Sequence, residues 1–206
     1  MRIEPREGPF ARIVRRGSRV AYGRELDSAA VYARHPRLMF DYMRYNRAAE
    51  RTKRVPKLLA ELGVAKAAAM VGCEFCIDIS SEYVRRAGLS DAQLLALHEA
   101  HESGLFDEDQ LLVIDLAEGM TRTPAAVSDE LMARVLARFG EKGALELVHL
   151  IAWENDRARS NVALGMGSAG FSEGRACSLG PQQVAASGAA TGAADGDASE
   201  RASVPA

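Results

Sequence analysis

The strongest constraint on the fold is a helical pattern that begins at Ser28 and continues through most of the chain. Ala, Leu, Glu and Arg dominate, apolar side chains recur about every 3.6 residues, and strand patterns are scarce. Breaks at Pro36, Gly72, Gly88 and Pro124 divide the pattern. The predicted helices cover residues 28–34, 36–51, 55–71, 73–87, a stretch that starts at residue 90, and residues 107–120, 128–139 and 142–164. Several helices without strands predict an all-α fold, a helical bundle.

The chain is predicted to consist of three parts. Residues 1–27 show weak periodicity and are interpreted as an extended or loosely helical arm. Residues 28–180 form the helical domain. Residues 181–206 are rich in Ala, Gly and Ser and contain few large apolar side chains. Such a segment buries too little surface to offset the entropy lost on ordering, so we expect a disordered tail.

Composition narrows the functional classes. The net charge is -2 and aromatic residues make up 6% of the chain, so neither a basic patch nor a stacking platform for nucleic acid is indicated. No apolar run approaches the roughly 18 residues of a membrane span, and the Arg-rich N-terminus lacks the apolar core of a signal peptide. We therefore expect a cytoplasmic protein that binds neither nucleic acid nor membranes.

The most informative motif is a pair of cysteines, Cys73 and Cys76, separated by two residues. On a helix, residues i and i+3 lie on the same side, and a thiolate at a helix start is stabilised. This spacing favours a redox dithiol, with two small buried apolar residues as the alternative. A zinc site is disfavoured because Cys177 lies far away and the neighbouring pair His98 and His101 lacks a third ligand. No metal or cofactor is predicted.

Two further residues are candidates for the same site. Glu61 precedes Cys73 by twelve residues and would face away from it on one straight helix. A break at Gly72 lets the second helix fold back, and the apolar neighbours of Glu61 would raise its pKa, which suits a proton shuttle. The alternative is a solvated helix residue. Ser80 follows Cys76 by one helical turn, where its hydroxyl could hold water or relay a proton, or simply pack.

These residues resemble the carboxymuconolactone decarboxylase and alkylhydroperoxidase D-like family, in its branch with two cysteines. The resemblance rests on Glu61, the twelve-residue gap, the Cys73–Cys76 motif and residues 88–90, together with the later stretch 153–161. It spans roughly residues 30–178. The resemblance implies an all-α fold of the alkylhydroperoxidase D-like type that assembles into homo-oligomers, either trimers or hexamers.

The resemblance also implies roles for individual residues. Cys76 would attack a peroxide, Cys73 would resolve the product into a disulfide, and Glu61 would be the acid of a proton relay. The chain departs from the family where it has Ser80 in place of a histidine four residues after the second cysteine. It also has Phe75 where some members carry a relay histidine.

The predicted function is therefore a thiol-dependent peroxidase or disulfide reductase, with the peroxiredoxin activity of an antioxidant protein. Its substrate would be a small hydroperoxide or a disulfide, and an unidentified dithiol would regenerate it. One alternative is a decarboxylase-like lyase that acts on a small acidic lactone, with Arg157 and Arg159 binding its carboxylates. Another is a non-catalytic helical oligomer or interaction protein. Soft and aromatic residues favour a subunit contact; they are Met39, Tyr42, Met43, Tyr45, Met120 and Trp153.

Overall fold

The computed structural model describes residues 2–51 and 53–172. Within these residues the regular secondary structure is helical and contains no strand, so the predicted all-α fold is confirmed. The helices are α1 (Pro9–Tyr22), α2 (Asp27–Tyr32), α3 (Pro36–Ala49), α4 (Lys57–Val71), α5 (Glu74–Arg86), α6 (Asp91–Leu95), α7 (Ala100–Ser103), α8 (Glu108–Thr121) and α9 (Asp129–Leu164), with a 3-10 turn over Ala96–Glu99 between α6 and α7. Cys177 and the predicted tail at residues 181–206 lie outside the described residues.

Helix α4 lies at the centre of the fold. It is apolar on nearly every side, and it packs against α5, α8 and α9. Close approach depends on Gly63, because a Cβ there would lie 3.1 Å from Val113 and 3.3 Å from Ile151. Its one buried charge, Lys66, donates to the Leu97 carbonyl at 2.9 Å and pairs with Glu118 at 2.6 Å. The helix that precedes the two cysteines is therefore fixed from several directions.

The turn between α4 and α5 places the cysteines. Gly72 ends α4 in the left-handed conformation with φ 73°, which a residue without a Cβ adopts readily. Cys73 follows in an extended conformation as the N-cap of α5. The predicted break at Gly72 is confirmed, and it folds α5 back against α4.

Helix α9 covers Asp129–Leu164 and contains a kink at Gly140, whose φ of 68° and ψ of 172° are not helical. The kink separates two helical segments, in agreement with the predicted helices at residues 128–139 and 142–164. Helix α9 packs against α3, α4, α5 and α8.

The N-terminal arm is more regular than its weak periodicity indicates. Pro9 begins the 14-residue helix α1, and Gly23 ends it in the left-handed conformation. The helix packs on α2, and the arm reaches the far end of α9 through the Arg2 N–H, which donates to the Leu164 carbonyl at 2.8 Å. Arg24 also donates to the Ala169 carbonyl. These long-range contacts, which no local pattern encodes, account for the order of the arm.

A search of the described helices for a membrane span gives none with the required length and apolar character.

Candidate dithiol site

The two cysteines lie side by side in the interior. Their Sγ atoms are 2.6 Å apart, farther than the roughly 2.05 Å of a disulfide bond, and both thiols are free. Cys73 is 0% exposed and Cys76 is 3% exposed. The pair can therefore join without a large backbone movement.

The two thiols differ in their electrostatic environment. The pKa of Cys73 is lowered by its hydrogen bond with the Cys76 thiol and, against the effect of burial, by the backbone N–H of Cys76, which donates to its Sγ at 3.2 Å. The pKa of Cys76 is raised, first by the same thiol–thiol hydrogen bond and then by burial. This arrangement favours a thiolate on Cys73 and a thiol on Cys76.

Helix α9 covers the dithiol with one face. Ala158 packs with both cysteines in one buried cluster. Asn161 is 3% exposed, and its side-chain amide donates to the Cys76 Sγ at 3.4 Å. Glu154 lies one turn before Ala158 on the same face, since residues four apart on a helix are neighbours. The sequence analysis assigns no role to Glu154 or Asn161, although both lie in the stretch 153–161 that supports the family resemblance.

Glu154 and Arg157 form a buried ion pair. Glu154 is 1% exposed, and its Oε2 accepts hydrogen bonds from Arg157 Nε at 3.0 Å and from Arg157 Nη2. The Arg157 Nη1 donates to the Asn46 side-chain oxygen at 2.8 Å, and the Trp153 indole donates to the same atom at 3.0 Å. In contrast, Glu154 Oε1 is buried without a hydrogen-bond partner. The ion pair thus presents one free carboxylate oxygen to the interior.

Glu61 lies near this ion pair. The side chain is half-buried, and burial raises its pKa, while Lys57 acts in the opposite direction. Glu154 and Arg157 are also among the charges that act on it. The structure therefore connects Glu61 electrostatically with the ion pair on α9, and its role as a proton relay stays a prediction.

The environment of Ser80 favours a packing role. The side chain is 2% exposed, and its hydroxyl donates to the Ile77 carbonyl of its own helix at 3.4 Å. This is the packing alternative that the sequence left open. A catalytic role for Ser80 through a held water or a proton relay stays a prediction.

The carboxylate of Asp78 on α5 holds the segment that follows α9. Asp78 is 4% exposed and anchors residues 168–172. Its carboxylate accepts hydrogen bonds from the Ser168 hydroxyl at 2.9 Å and from the backbone N–H groups of Ala169, Phe171 and Ser172 at 2.9, 2.9 and 2.7 Å. Burial alone would raise the pKa of Asp78, but these hydrogen bonds lower it below its usual range. The partners are about 90 residues away along the chain, so the helix pattern alone could not reveal them.

Aromatic side chains from α2, α3 and α9 pack together beside the site. Tyr32 stacks on Tyr42 with ring centroids 4.9 Å apart, and Tyr42 lies 4.9 Å from Trp153. Tyr45 packs on the same indole at 4.5 Å. Burial raises the pKa of Tyr32, and Asp156 and Cys76 add smaller electrostatic contributions to this increase. We refer to Tyr32, Tyr42, Tyr45 and Trp153 as the aromatic cluster.

Over residues 2–51 and 53–172, no three His, Cys, Asp or Glu side chains converge in a way that could hold a metal ion. His101 instead binds Asp115 at 2.6 Å, and His98 interacts with the Leu95 carbonyl at 2.9 Å. Both histidines therefore have structural partners of their own.

The fold and the site together define an all-helical protein with two buried, adjacent thiols. Solved structures with this fold include the debrominase Bmp8 in its apo form, with a TM-score of 0.68 and 21% identity over 81% of this chain and 92% of that chain. A cysteine-to-alanine variant of the same debrominase, in complex with 2,3,4-tribromopyrrole, has a TM-score of 0.67 and 19% identity over 80% of this chain and 90% of that chain. At these identities the likeness establishes the fold alone.

Two curated proteins are similar in sequence. The uncharacterized protein YnjA of Escherichia coli (strain K12) is 39% identical over 108 residues, which is 52% of this chain and 59% of YnjA. The uncharacterized protein YdfG of Bacillus subtilis (strain 168) is 27% identical over 130 residues, or 63% of this chain and 86% of YdfG. The chain thus matches less than two thirds of the length of YnjA. No protein-family model matches the sequence.

Proposed function

We propose that this protein is a dithiol-dependent oxidoreductase that reduces a small hydroperoxide or a disulfide. The proposal rests on one observation: Cys73 and Cys76 place their sulfurs 2.6 Å apart, with the charged form of Cys73 stabilised at the start of α5. A thiolate is the nucleophilic form of cysteine, and an adjacent thiol can resolve the oxidised product.

In the peroxide reaction, the thiolate attacks one peroxide oxygen and the O–O bond breaks. The alkoxide that leaves takes up a proton and becomes an alcohol, and the attacking sulfur becomes a sulfenic acid. The second sulfur then attacks the first, the S–O bond breaks, and hydroxide leaves as water after protonation. Two electrons pass from the dithiol to the peroxide, and an external dithiol restores the pair by thiol–disulfide exchange.

The order of attack follows from the electrostatics of the pair. Cys73 carries the stabilised negative charge, so we assign it the first attack and Cys76 the resolving step. The family resemblance implies the opposite order, with Cys76 attacking the peroxide. The net reaction is identical, and separate substitution of the two cysteines distinguishes the two orders.

Glu61 has a position suited to exchanging protons between the site and solvent. It is half-buried on α4, and its raised pKa brings its titration nearer to neutral pH. We propose that it takes up and returns the protons that the cycle consumes.

The protein is also proposed to act as a homo-oligomer, a trimer or hexamer, with α3 as part of the subunit contact. One helix exposes several large apolar side chains, which a monomer would leave in water. These are Leu38, Phe40, Met43 and Tyr45. We propose a second copy of the chain as the partner, and Tyr45 would then join the contact to the aromatic cluster, because its ring packs on Trp153.

A second candidate reaction is the reductive removal of a halogen from an aromatic ring by the same dithiol. The aromatic cluster favours a flat, apolar substrate, and the chain shares its fold with the debrominase Bmp8. The balance needs no further reductant: thiolate, thiol and aryl bromide give the disulfide, the debrominated ring and bromide. Bromide release from 2,3,4-tribromopyrrole is measured beside hydroperoxide consumption. The two rates decide whether the dithiol reduces the aryl bromide or the hydroperoxide.

The decisive experiment measures consumption of a small alkyl hydroperoxide in the presence of dithiothreitol. Wild-type protein is compared with Cys73→Ser and Cys76→Ser. Wild-type protein is expected to turn over and both variants to lose most of the rate. A rate that survives both substitutions would end the dithiol proposal.

A further inference from the structure

Near the site, the side-chain oxygen Glu154 Oε1 is buried without a hydrogen-bond partner. Buried carboxylate oxygens normally accept hydrogen bonds, because removing them from water is otherwise unfavourable. Here Arg157 directs both Nε and Nη2 to Oε2, and Oε1 has no partner although the side chain is 1% exposed. An unpartnered, buried anionic oxygen is a ready acceptor for a proton.

The helix geometry brings this carboxylate to the dithiol. Glu154, Ala158 and Asn161 lie at positions i, i+4 and i+7 of α9 and so share one face. The middle residue belongs to the same buried apolar cluster as both cysteines, and the last donates to the Cys76 Sγ at 3.4 Å. The first residue of the row therefore lies on the face of α9 that covers the sulfurs.

We propose that Glu154 takes up the proton of Cys76 when the dithiol closes to a disulfide. This inference rests on the proposed dithiol function and assigns the proton transfer within it. Arg157 is the positioning residue, because it holds Oε2 and leaves Oε1 free for the proton.

The surroundings of Glu154 fix its position. Arg157 is held in turn by its hydrogen bond to Asn46 and lies over the Trp153 ring, 5.9 Å from the centroid. The titratable and charged groups that interact with Glu154 come from four helices. They are Tyr42 on α3, Glu61 on α4, Cys73 and Cys76 on α5, and Arg157 on α9.

The step is balanced as follows. After the first attack, Cys73 is a sulfenic acid and Cys76 a thiol. Glu154 accepts the thiol proton as the Cys76 sulfur bonds to the Cys73 sulfur, and the S–O bond breaks. The neutral carboxyl group then gives this proton to the departing hydroxide, which leaves as water. Glu154 ends the step ionised, ready for the next cycle.

The first test is the pH profile of thiol alkylation by iodoacetamide in reduced Glu154→Gln and wild-type protein. Among the groups around the dithiol, the charge of Glu154 acts to raise the pKa of each thiol. Its removal is therefore expected to move the alkylation midpoint to lower pH. The matched control is Glu82→Gln, which also removes a buried carboxylate paired with arginines but lies elsewhere on α5. An unchanged midpoint in Glu154→Gln would overturn the proposal.

The second test follows the closing step after one equivalent of hydroperoxide. Dimedone traps sulfenic acid, and mass spectrometry separates trapped protein from disulfide. Glu154→Gln is expected to form sulfenic acid normally but to close about a hundredfold more slowly, the scale of a lost acid–base group. A closing rate equal to that of wild-type protein refutes the inference.

Glu154→Asp guards against a variant that does not fold. It keeps the charge but withdraws the oxygens by one methylene, so the alkylation midpoint should stay near that of wild type while closing slows. Equal closing rates for Glu154→Asp and wild type would contradict the proposal. Failure of the dithiol function itself gives a different result, because wild-type protein would then form neither sulfenic acid nor disulfide.

Discussion

The backbone N–H of Cys76 donates to the Cys73 sulfur across 3.2 Å, so the helix that carries one thiol stabilises the charge on the other. This contact arises because Cys73 is the N-cap of α5, where the first N–H groups of the helix lack partners within it. In most helices Ser, Thr, Asp or Asn supplies this acceptor. Here a sulfur takes that place, and a capping interaction becomes a means of charging a nucleophile.

The first prediction concerns the two single thiols. In Cys76→Ser, the remaining Cys73 keeps the backbone N–H that stabilises its thiolate. In Cys73→Ser, the remaining Cys76 keeps its burial, which disfavours the charged form. We expect Cys73 to be alkylated at lower pH than Cys76 when each is alone, as measured by the pH dependence of iodoacetamide modification. The reverse order would favour the assignment in which Cys76 attacks first.

The second prediction concerns Asp78 and residues 168–172. Replacing Asp78 by Asn removes the charge that four donors share, and we expect a loss of about 2 kcal/mol in the free energy of unfolding at neutral pH. The folded-state pKa lies below the ordinary value of about 3.9, so this stabilisation is present above that value and is lost as the pH falls through the folded-state pKa. Urea unfolding of both proteins should therefore show the difference shrinking in acid. Asp41→Asn, at an exposed position, serves as the control and should cost little. A constant difference down to strongly acidic pH would contradict the account.

The third prediction concerns Glu61. Its folded-state pKa is raised, mainly by burial, so the folded state binds the proton more tightly and stability falls as the pH rises from the unfolded-state to the folded-state pKa. Glu61→Gln should therefore unfold at higher denaturant concentration than wild type at pH 7, whereas the two should converge near pH 4. Peroxide turnover should fall at least tenfold if the carboxyl group exchanges protons.

Glu141→Gln, at an exposed position on α9, is the control for Glu61→Gln and should alter neither property. If Glu61→Gln is stabilised but keeps full turnover, the account of its burial holds and Glu61 has no role in proton transfer.

The fourth prediction concerns assembly through α3. Phe40→Glu places a charge on the exposed surface of α3 and should shift wild-type oligomers toward monomer in sedimentation velocity runs. Val20→Glu is the matched control, because Val20 is even more exposed and lies on a different helix, α1. Wild-type protein that sediments as a 22.2 kDa monomer at all concentrations would count against the assembly.

Local patterns were sufficient for much of the fold. The left-handed glycine at Gly72 and the caps at Ser90 and Ser128 act within one or two turns, so the sequence reveals them directly. The arm was the exception, because α1 gains its order from contacts with α2 and the end of α9.

The site was less predictable for the same physical reason. The spacing of Cys73 and Cys76 is local and marks the dithiol, but the residues that surround it come from remote positions. Asn161 reaches Cys76 across 85 residues, and Glu154 reaches the site only because α9 crosses α5. These contacts depend on how the helices pack against one another, and the spacing of apolar residues along the sequence does not specify that packing.

The kink at Gly140 divides α9 into two segments whose rotations about the helix axis are independent. Every side chain that α9 contributes to the dithiol follows the kink, so the packing of the second segment alone sets which of its faces points to the sulfurs. One residue inserted between Gly140 and Glu154 would rotate the downstream face by about 100°, turning the carboxylate and Asn161 away from the sulfurs together. The irregular backbone at Gly140 would absorb an insertion in the first segment. Gly140 therefore uncouples the first segment, which supports the fold, from the second segment, which carries the side chains at the dithiol.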